Sequence, residues 1–286
     1  MSPRGAGTLL MVLAATAVAG CDALPGRSHA SGFVPQAGVC HLAPGDNASG
    51  AAYHPVDCST RHEAETFLVS RFAGPDADSA GPPGTGYESA LRAYASCATA
   101  AREFLGDWPL TGRVSLRVVL PTADGWAAAE RWYRCDLVET VALDRPEPNP
   151  RANSLKDALV APSPLRYGCF DPTFGADDRL ETAPPASCTG PHHSEFVGLW
   201  WTDQAPDGEQ VTGDVMLAGC SRVAAQHVGV SDEQELARRL EVLVVPPTDE
   251  EVAAGETAML CFLHSEDRKL TRTLAGVGLK GLPAPR

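Results

Sequence analysis

The cysteines of this chain fall into two matching series, and any fold has to satisfy both. Cys58-Ser59-Thr60-Arg61-His62-Glu63-Ala64-Glu65, followed by the apolar Phe67-Leu68-Val69, returns 130 positions later as Cys188-Thr189-Gly190-Pro191-His192-His193-Ser194-Glu195, followed by Phe196-Val197. Both read Cys-x3-His-x2-Glu before an apolar run. Upstream, Cys40 and Cys169 precede those cysteines by 18 and 19 residues. Downstream, Cys97 and Cys220 each reach a glycine nine residues on, Gly106 and Gly229. Pro121-Thr122…Glu130…Cys135 matches Pro247-Thr248…Glu256…Cys261 at identical spacing, and a Leu-x3-Leu closes each series, at Leu155 and Leu159, then at Leu270 and Leu274. Landmarks this numerous and in one order imply two tandem copies of a small domain, spanning 36–160 and 165–280. The stiff Ala161-Pro162-Ser163-Pro164 joins them.

The start of the chain explains the ninth cysteine. One positive charge, Arg4, precedes an uncharged stretch from Gly5 to Gly20 whose apolar core is too short for a comfortable membrane span. It ends in Val18-Ala19-Gly20-Cys21, which looks like a bacterial lipobox. Residues 1–20 are thus expected to be a lipoprotein signal peptide and Cys21 the lipidated first residue. Residues 21–35 would be a flexible tether. The expected partner at this end is the lipid bilayer, reached through the acylated Cys21, at the outer face of the cytoplasmic membrane.

In an exported protein the eight remaining cysteines read as disulfides, because that compartment is oxidising. A zinc site would want close Cys-x2-Cys pairs, and the sequence has none. The net charge of -13 repels phosphate backbones, so nucleic acid is excluded as a partner.

Local patterns predict β-β-β-α-β-(short α)-β for each copy, an α+β fold with a mainly antiparallel sheet and one main helix. Short strand-like pieces around Cys40 and Cys58 flank the turn-rich Pro44-Gly45-Asp46-Asn47. Tyr87, Leu91, Tyr94, Ala98 and Leu105 recur at helical spacing, as do Met216, Cys220, Val223, Ala224 and His227. Val114, Leu116, Val118 and Leu120 alternate with polar residues, the mark of a half-buried strand. Ser231 and Gln234 stand in capping-box spacing, and the acidic Thr248-Asp249-Glu250-Glu251 reads as a solvated helix start. Four cysteines per copy allow three pairings. The sequential one is expected: Cys40 with Cys58, Cys97 with Cys135, Cys169 with Cys188, and Cys220 with Cys261.

The residues resemble the septum formation domain of actinobacterial envelope proteins. The resemblance rests on Gly38-x-Cys40, Val56-x-Cys58-x3-His62-x2-Glu65, the mid-domain Cys97, Pro121-Thr122 with Trp126, and Cys135. The second copy matches through Cys188-x3-His192-x2-Glu195 and Pro247-Thr248…Cys261, but has Val252 where the first has Trp126. The resemblance implies an extracytoplasmic domain connected with cell division, and supplies no catalytic residue or cofactor.

His62 with Glu65, and His192 with Glu195, are the polar sets that repeat beside a cysteine. As a metal site each supplies two ligands where three or four are needed; His193 could add a third, but the first copy has Glu63 there. A histidine–carboxylate pair can act as a general base, yet no Gly-x-Ser-x-Gly, Ser-x-x-Lys or free cysteine accompanies it. The expectation is therefore no metal, no cofactor and no catalysis. The four residues would serve as hydrogen-bonded framework or as contacts to an envelope protein or cell-wall ligand. The alternative is a cell-wall-acting enzyme or metal-dependent factor built on the same four residues. Of Trp200-Trp201, an alternating strand turns one ring to the core and the other outward, where packing between the copies is expected.

Overall fold

The cysteine pairing governs how helix and sheet meet, and the computed structural model shows it directly. Residues 32–44, 48–176, 180–205 and 210–285 are described. The expected signal peptide, the lipidated Cys21, most of the tether and the Gly45-Asp46-Asn47 turn lie outside them. Among the described residues the order is β1 (Val39–His41), β2 (Ala64–Arg71), α1 (Glu88–Leu105), β3 (Val114–Val119), α2 (Ala123–Ala127), β4 (Trp132–Ala142) and β5 (Arg145–Pro148). There follow β6 (Cys169–Phe170), β7 (Thr173–Phe174), β8 (Leu180–Thr182), β9 (Pro185–Ala186), β10 (Ser194–Trp201), α3 (Gly213–Val228), α4 (Glu233–Ala237), β11 (Glu241–Val245), α5 (Asp249–Ala254), β12 (Ala258–His264) and α6 (Gly278–Gly281). The fold is mixed α and β with antiparallel pairing throughout.

The first sheet runs β1-β2-β4-β3, with β5 folded back on β4; the second runs β9-β6-β10-β12-β11. In each, the strand after the Cys-x3-His-x2-Glu motif pairs with the strand carrying the last cysteine, and one bulge interrupts that ladder, between Thr66 and Leu68 or between Phe196 and Gly198. Disulfides join Cys40 to Cys58, Cys97 to Cys135, Cys169 to Cys188 and Cys220 to Cys261. They span 18, 38, 19 and 41 residues. Closing loops of such length stabilises the folded chain by about 3–4 kcal/mol each on chain-entropy grounds. Gly32 onward forms one compact unit rather than two separate bodies.

The long helices lie on the sheets through small residues. On α1 the buried face is Ala93, Cys97, Ala101 and Leu105, a correction to the sequence periodicity. Tyr87 is exposed, and Tyr94 turns toward the second half, where its hydroxyl donates to Glu256 Oε2 at 2.7 Å. The disulfide to Cys135 on β4 draws the Cys97 stripe onto the sheet, and its alanines permit the close approach. On α3, Gly219, Cys220 and Ala224 do the same; a Cβ on Gly219 would run into the Trp200 indole. A second correction concerns α4, which is capped by Asp232, its carboxylate accepting from Glu235 N–H, and so begins one residue later than the Ser231 spacing implies. Thr248 and Glu251 form a reciprocal capping box on α5.

The two sheets differ on their other faces. Register makes His41, Thr66, Arg134 and Asp136 of the first sheet the counterparts of Phe170, Phe196, Leu260 and Phe262 of the second. The first set is a buried polar network: His41 Nε2 meets Thr66 Oγ1 at 2.9 Å, Thr66 donates to Asp136 at 2.6 Å, and Arg134 grips both Asp136 oxygens. Burial, helped by the Arg134 charge, lowers the His41 pKa to about 4. The second set is an apolar, mainly aromatic cluster, and Trp108, Leu110 and Leu143 from the first half pack against it, with Tyr167 just past the linker. That packing is what merges the halves into one unit.

Candidate functional site

Each Cys-x3-His-x2-Glu motif turns back after its cysteine and enters a central strand. Cys40 lies across β1 and β2 from Glu65, and Cys169 lies across β6 and β10 from Glu195. Antiparallel pairing therefore sets a carboxylate beside each first disulfide, with Cys40, Cys58 and Glu65 donor atoms within 4.8 Å of one another, and likewise those of Cys169, His192 and Glu195. The sulfurs of both groups are tied in disulfides and offer no thiolate to an ion. His193, a conceivable further ligand, turns instead to Asp171 at 2.9 Å.

The histidines are held alike. Nδ1 of His62 donates to the Thr60 carbonyl, and Nδ1 of His192 to the Gly190 carbonyl, each at 2.8 Å. A carbonyl can only accept, so the proton sits on Nδ1. Both Nε2 atoms are buried and have no hydrogen-bond partner among the described residues. The backbones of the same histidines pair with the closing segment of each half, His62 with Arg151 and His192 with Leu270.

The glutamates clip that segment down. Glu65 accepts from Ser154 Oγ at 2.7 Å and from Leu155 N–H at 2.6 Å. Glu195 accepts from Thr273 Oγ1 at 2.6 Å, from Leu274 N–H at 2.7 Å and from His227 Nε2 at 2.8 Å. Burial pushes the Glu195 carboxyl up, but the His227, Thr273 and Leu274 hydrogen bonds outweigh it and hold the group below the usual carboxylate range. A hydrogen bond to a charged group stabilises by about 1.5–3 kcal/mol, and each clip adds that to the histidine backbone pairing of the closing segment and, in the first half, to the Arg151–Glu139 ion pair at 2.9 Å.

These contacts correct the Leu-x3-Leu correspondence read from sequence. Leu155 and Leu274 donate to equivalent carboxylates, and Arg151 and Leu270 pair with equivalent histidines. The structural counterpart of Leu155 is thus Leu274, four positions from the one that spacing suggested. His227, on α3, is a site residue that sequence reasoning placed only on the helix face; its link to Glu195 spans 32 residues and leaves no local signal.

Chemically, the arrangement leaves little to react. Glu65 and Glu195 are 3 % exposed, His62 and His192 at most 1 %, and the carboxylate oxygens are occupied by donors of the fold. Of the two tryptophans, Trp200 packs under α3 while Trp201 meets Trp108 of the first half, ring centroids 5.5 Å apart.

Four disulfides suit an oxidising, extracytoplasmic compartment, and no helix among the described residues is long and apolar enough to cross a membrane. No curated protein and no solved structure matches the chain. A family model described as septum formation matches residues 37–261, in one span running through both halves, all eight disulfide cysteines and both Cys-x3-His-x2-Glu motifs. The chain belongs to the septum formation family.

Proposed function

We infer that this protein is a non-catalytic envelope component of cell division, held to the outer face of the cytoplasmic membrane by lipidated Cys21. On this reading it presents two tandem copies of one stapled domain to a partner protein or cell-wall ligand. The observation that carries the reading is the fate of the two repeated polar sets: Glu65 and Glu195 are buried and fully engaged in clipping each half closed. A framework role uses the same residues in both halves, as a tandem duplication would leave them. Matching strand order, disulfide pairing and clip contacts support the duplication. Membership of the septum formation family supports a division or envelope role.

The test follows the protein in growing cells with an oxidation-tolerant fluorescent tag at the C-terminus. The reading expects signal at the division plane, and Cys21→Ser releasing the protein from the membrane fraction. An even signal around the envelope, or unchanged membrane retention of Cys21→Ser, sinks the corresponding half of it. The competing reading, a cell-wall-acting enzyme or metal-dependent factor using His62, Glu65, His192 and Glu195, requires those groups to reach a substrate or ion. It predicts that His62→Ala with His192→Ala folds normally and loses a measurable activity or metal content, whereas the framework reading predicts loss of stability.

A further inference from the structure

We propose that the crevice where the two halves meet is a binding site for a short, uncharged oligosaccharide, stacked on the Trp108–Trp201 pair. This rests on the reading above in which the domains meet a cell-wall ligand, and it is tested separately, since septal localisation has no bearing on the crevice.

The crevice has about 490 Å³ of free volume, inside the range of ordinary small-molecule sites. One wall is the segment after α1 with Arg166 and Tyr167 just past the linker; the other is β10 from Glu195 to Trp201, with His227 and Thr273 at one end. A second recess of about 240 Å³ shares Trp108, Leu199 and Trp201 with the first and continues past them to Tyr94, Asp203 and Glu256. The tryptophan pair therefore borders two adjacent recesses, which suits an elongated ligand better than a single ring.

Three features select the ligand's chemistry. First, the two indoles are half-buried, tilted by 56° to each other, and among the described residues no protein group hydrogen-bonds either N–H. A flat, amphipathic ring with an available donor fits the C–H face and hydroxyl rim of a pyranose. Second, the larger crevice pairs Arg166 with Asp107 at 2.6 Å and sets His227 on Glu195 at 2.8 Å. The Arg102 guanidinium lies over the Trp108 ring, 5.0 Å from its centroid, and the recess beyond is lined by the carboxylates Asp203 and Glu256. An acidic ligand would meet those carboxylates and a chain of net charge -13, which favours a neutral sugar over an anionic one. Third, the Tyr167 phenol lines the wall as a donor, burial pushing its pKa up to about 12, and the Thr111 and Thr273 oxygens, whose own protons go to the Trp108 carbonyl and to Glu195, can still accept from sugar hydroxyls.

An extended peptide is the competing occupant, because β6 covers the β10 edge only at Ser194 and Glu195. The bulge between Phe196 and Gly198, with Gly198 at φ 140°, breaks the even spacing that an added strand needs. Stacking on rings needs no such ladder.

The experiment uses the full-length chain in a detergent without sugar groups, titrated with chitotetraose, with cellotetraose, and with a neutral end-blocked peptide. Indole N–H resonances of the wild-type protein are followed, assigned through Trp108→Phe and Trp201→Phe. The expected result is a saturable shift of both signals with at least one oligosaccharide, and affinity about tenfold weaker in Trp108→Ala or Trp201→Ala. Loss of one stacked ring is of that order, since about 1.4 kcal/mol is a factor of ten. The wild-type titration stands even if an alanine variant fails to fold. Absence of a shift with both sugars up to their solubility, or a shift with the peptide alone, overturns the proposal.

Discussion

Removing the Glu195 carboxylate should unhook the end of the chain from the second sheet. The side chain is buried and accepts from Thr273, His227 and the Leu274 N–H. Glu195→Ala strips all three donors at once. Thr273 is exposed and His227 partly so, and both can turn to water, but the Leu274 N–H is buried. A buried donor without a partner costs about 1–3 kcal/mol, and the lost hydrogen bonds to the charged carboxylate add about 1.5–3 kcal/mol. We expect Glu195→Ala to lose about 3–5 kcal/mol on that basis. Glu195→Gln keeps the shape: its carbonyl serves Leu274, and its amide meets Thr273 and His227, which can both accept. Losing the charge alone should cost about 1.5–3 kcal/mol. The assay is urea unfolding of the full chain with disulfides intact, followed by near-ultraviolet circular dichroism. The folded-state pKa of Glu195 is depressed, so its contribution is complete above the unfolded carboxylate value of about 4.3 and is lost as pH falls through the folded one. The gap between wild type and Glu195→Gln should therefore close in acid. A loss below about 1 kcal/mol for Glu195→Ala, outside the range for a stripped buried donor, would refute the clip. So would a gap that ignores acid pH.

Three further outcomes follow from the same structure. His41 is buried with its pKa lowered to about 4, so the unfolded chain takes up a proton that the folded chain refuses as pH falls from about 6.5. Stability should drop by about 3 kcal/mol across that window, and His41→Phe, which copies its counterpart Phe170, should flatten the dependence measured by urea midpoints against pH. Gly219→Ala forces a methyl into the Trp200 indole and should cost about 1–3 kcal/mol by overpacking, with a lowered melting temperature and an altered tryptophan dichroism band. Replacing Cys220 and Cys261 together by alanine opens a 41-residue loop and should cost about 3–4 kcal/mol, read from urea midpoints. An unchanged midpoint would show that the bridge is dispensable.

Much of the local architecture was legible because its signals are local. Alternation in Val114–Leu120 marks β3, glycines at 106 and 229 stop the long helices in left-handed conformation, and Thr248 with Glu251 caps α5. Helix phase was not legible. Large apolar side chains suggested one face of α1, but the covalent tie from Cys97 to Cys135 and the small size of its neighbours decided another. The shift of Leu155 against Leu274 escaped notice for a related reason: leucine spacing counts residues along the chain, whereas the clip aligns whichever N–H reaches the carboxylate.

By itself, the sequence determined two matched cysteine series, each with a His and a Glu at constant distance, and thereby what must be stapled and where each central strand begins. These are relations among residues a few positions apart, and backbone geometry converts them into structure with little further choice. Only the tertiary structure decided that His227 answers Glu195, that one sheet hides a polar network where its counterpart carries four apolar side chains, and that Trp108 meets Trp201 at a crevice. Those relations join residues 32 to 93 positions apart, or compare faces that no spacing rule links. They come into being when desolvation and packing choose which surfaces cover one another.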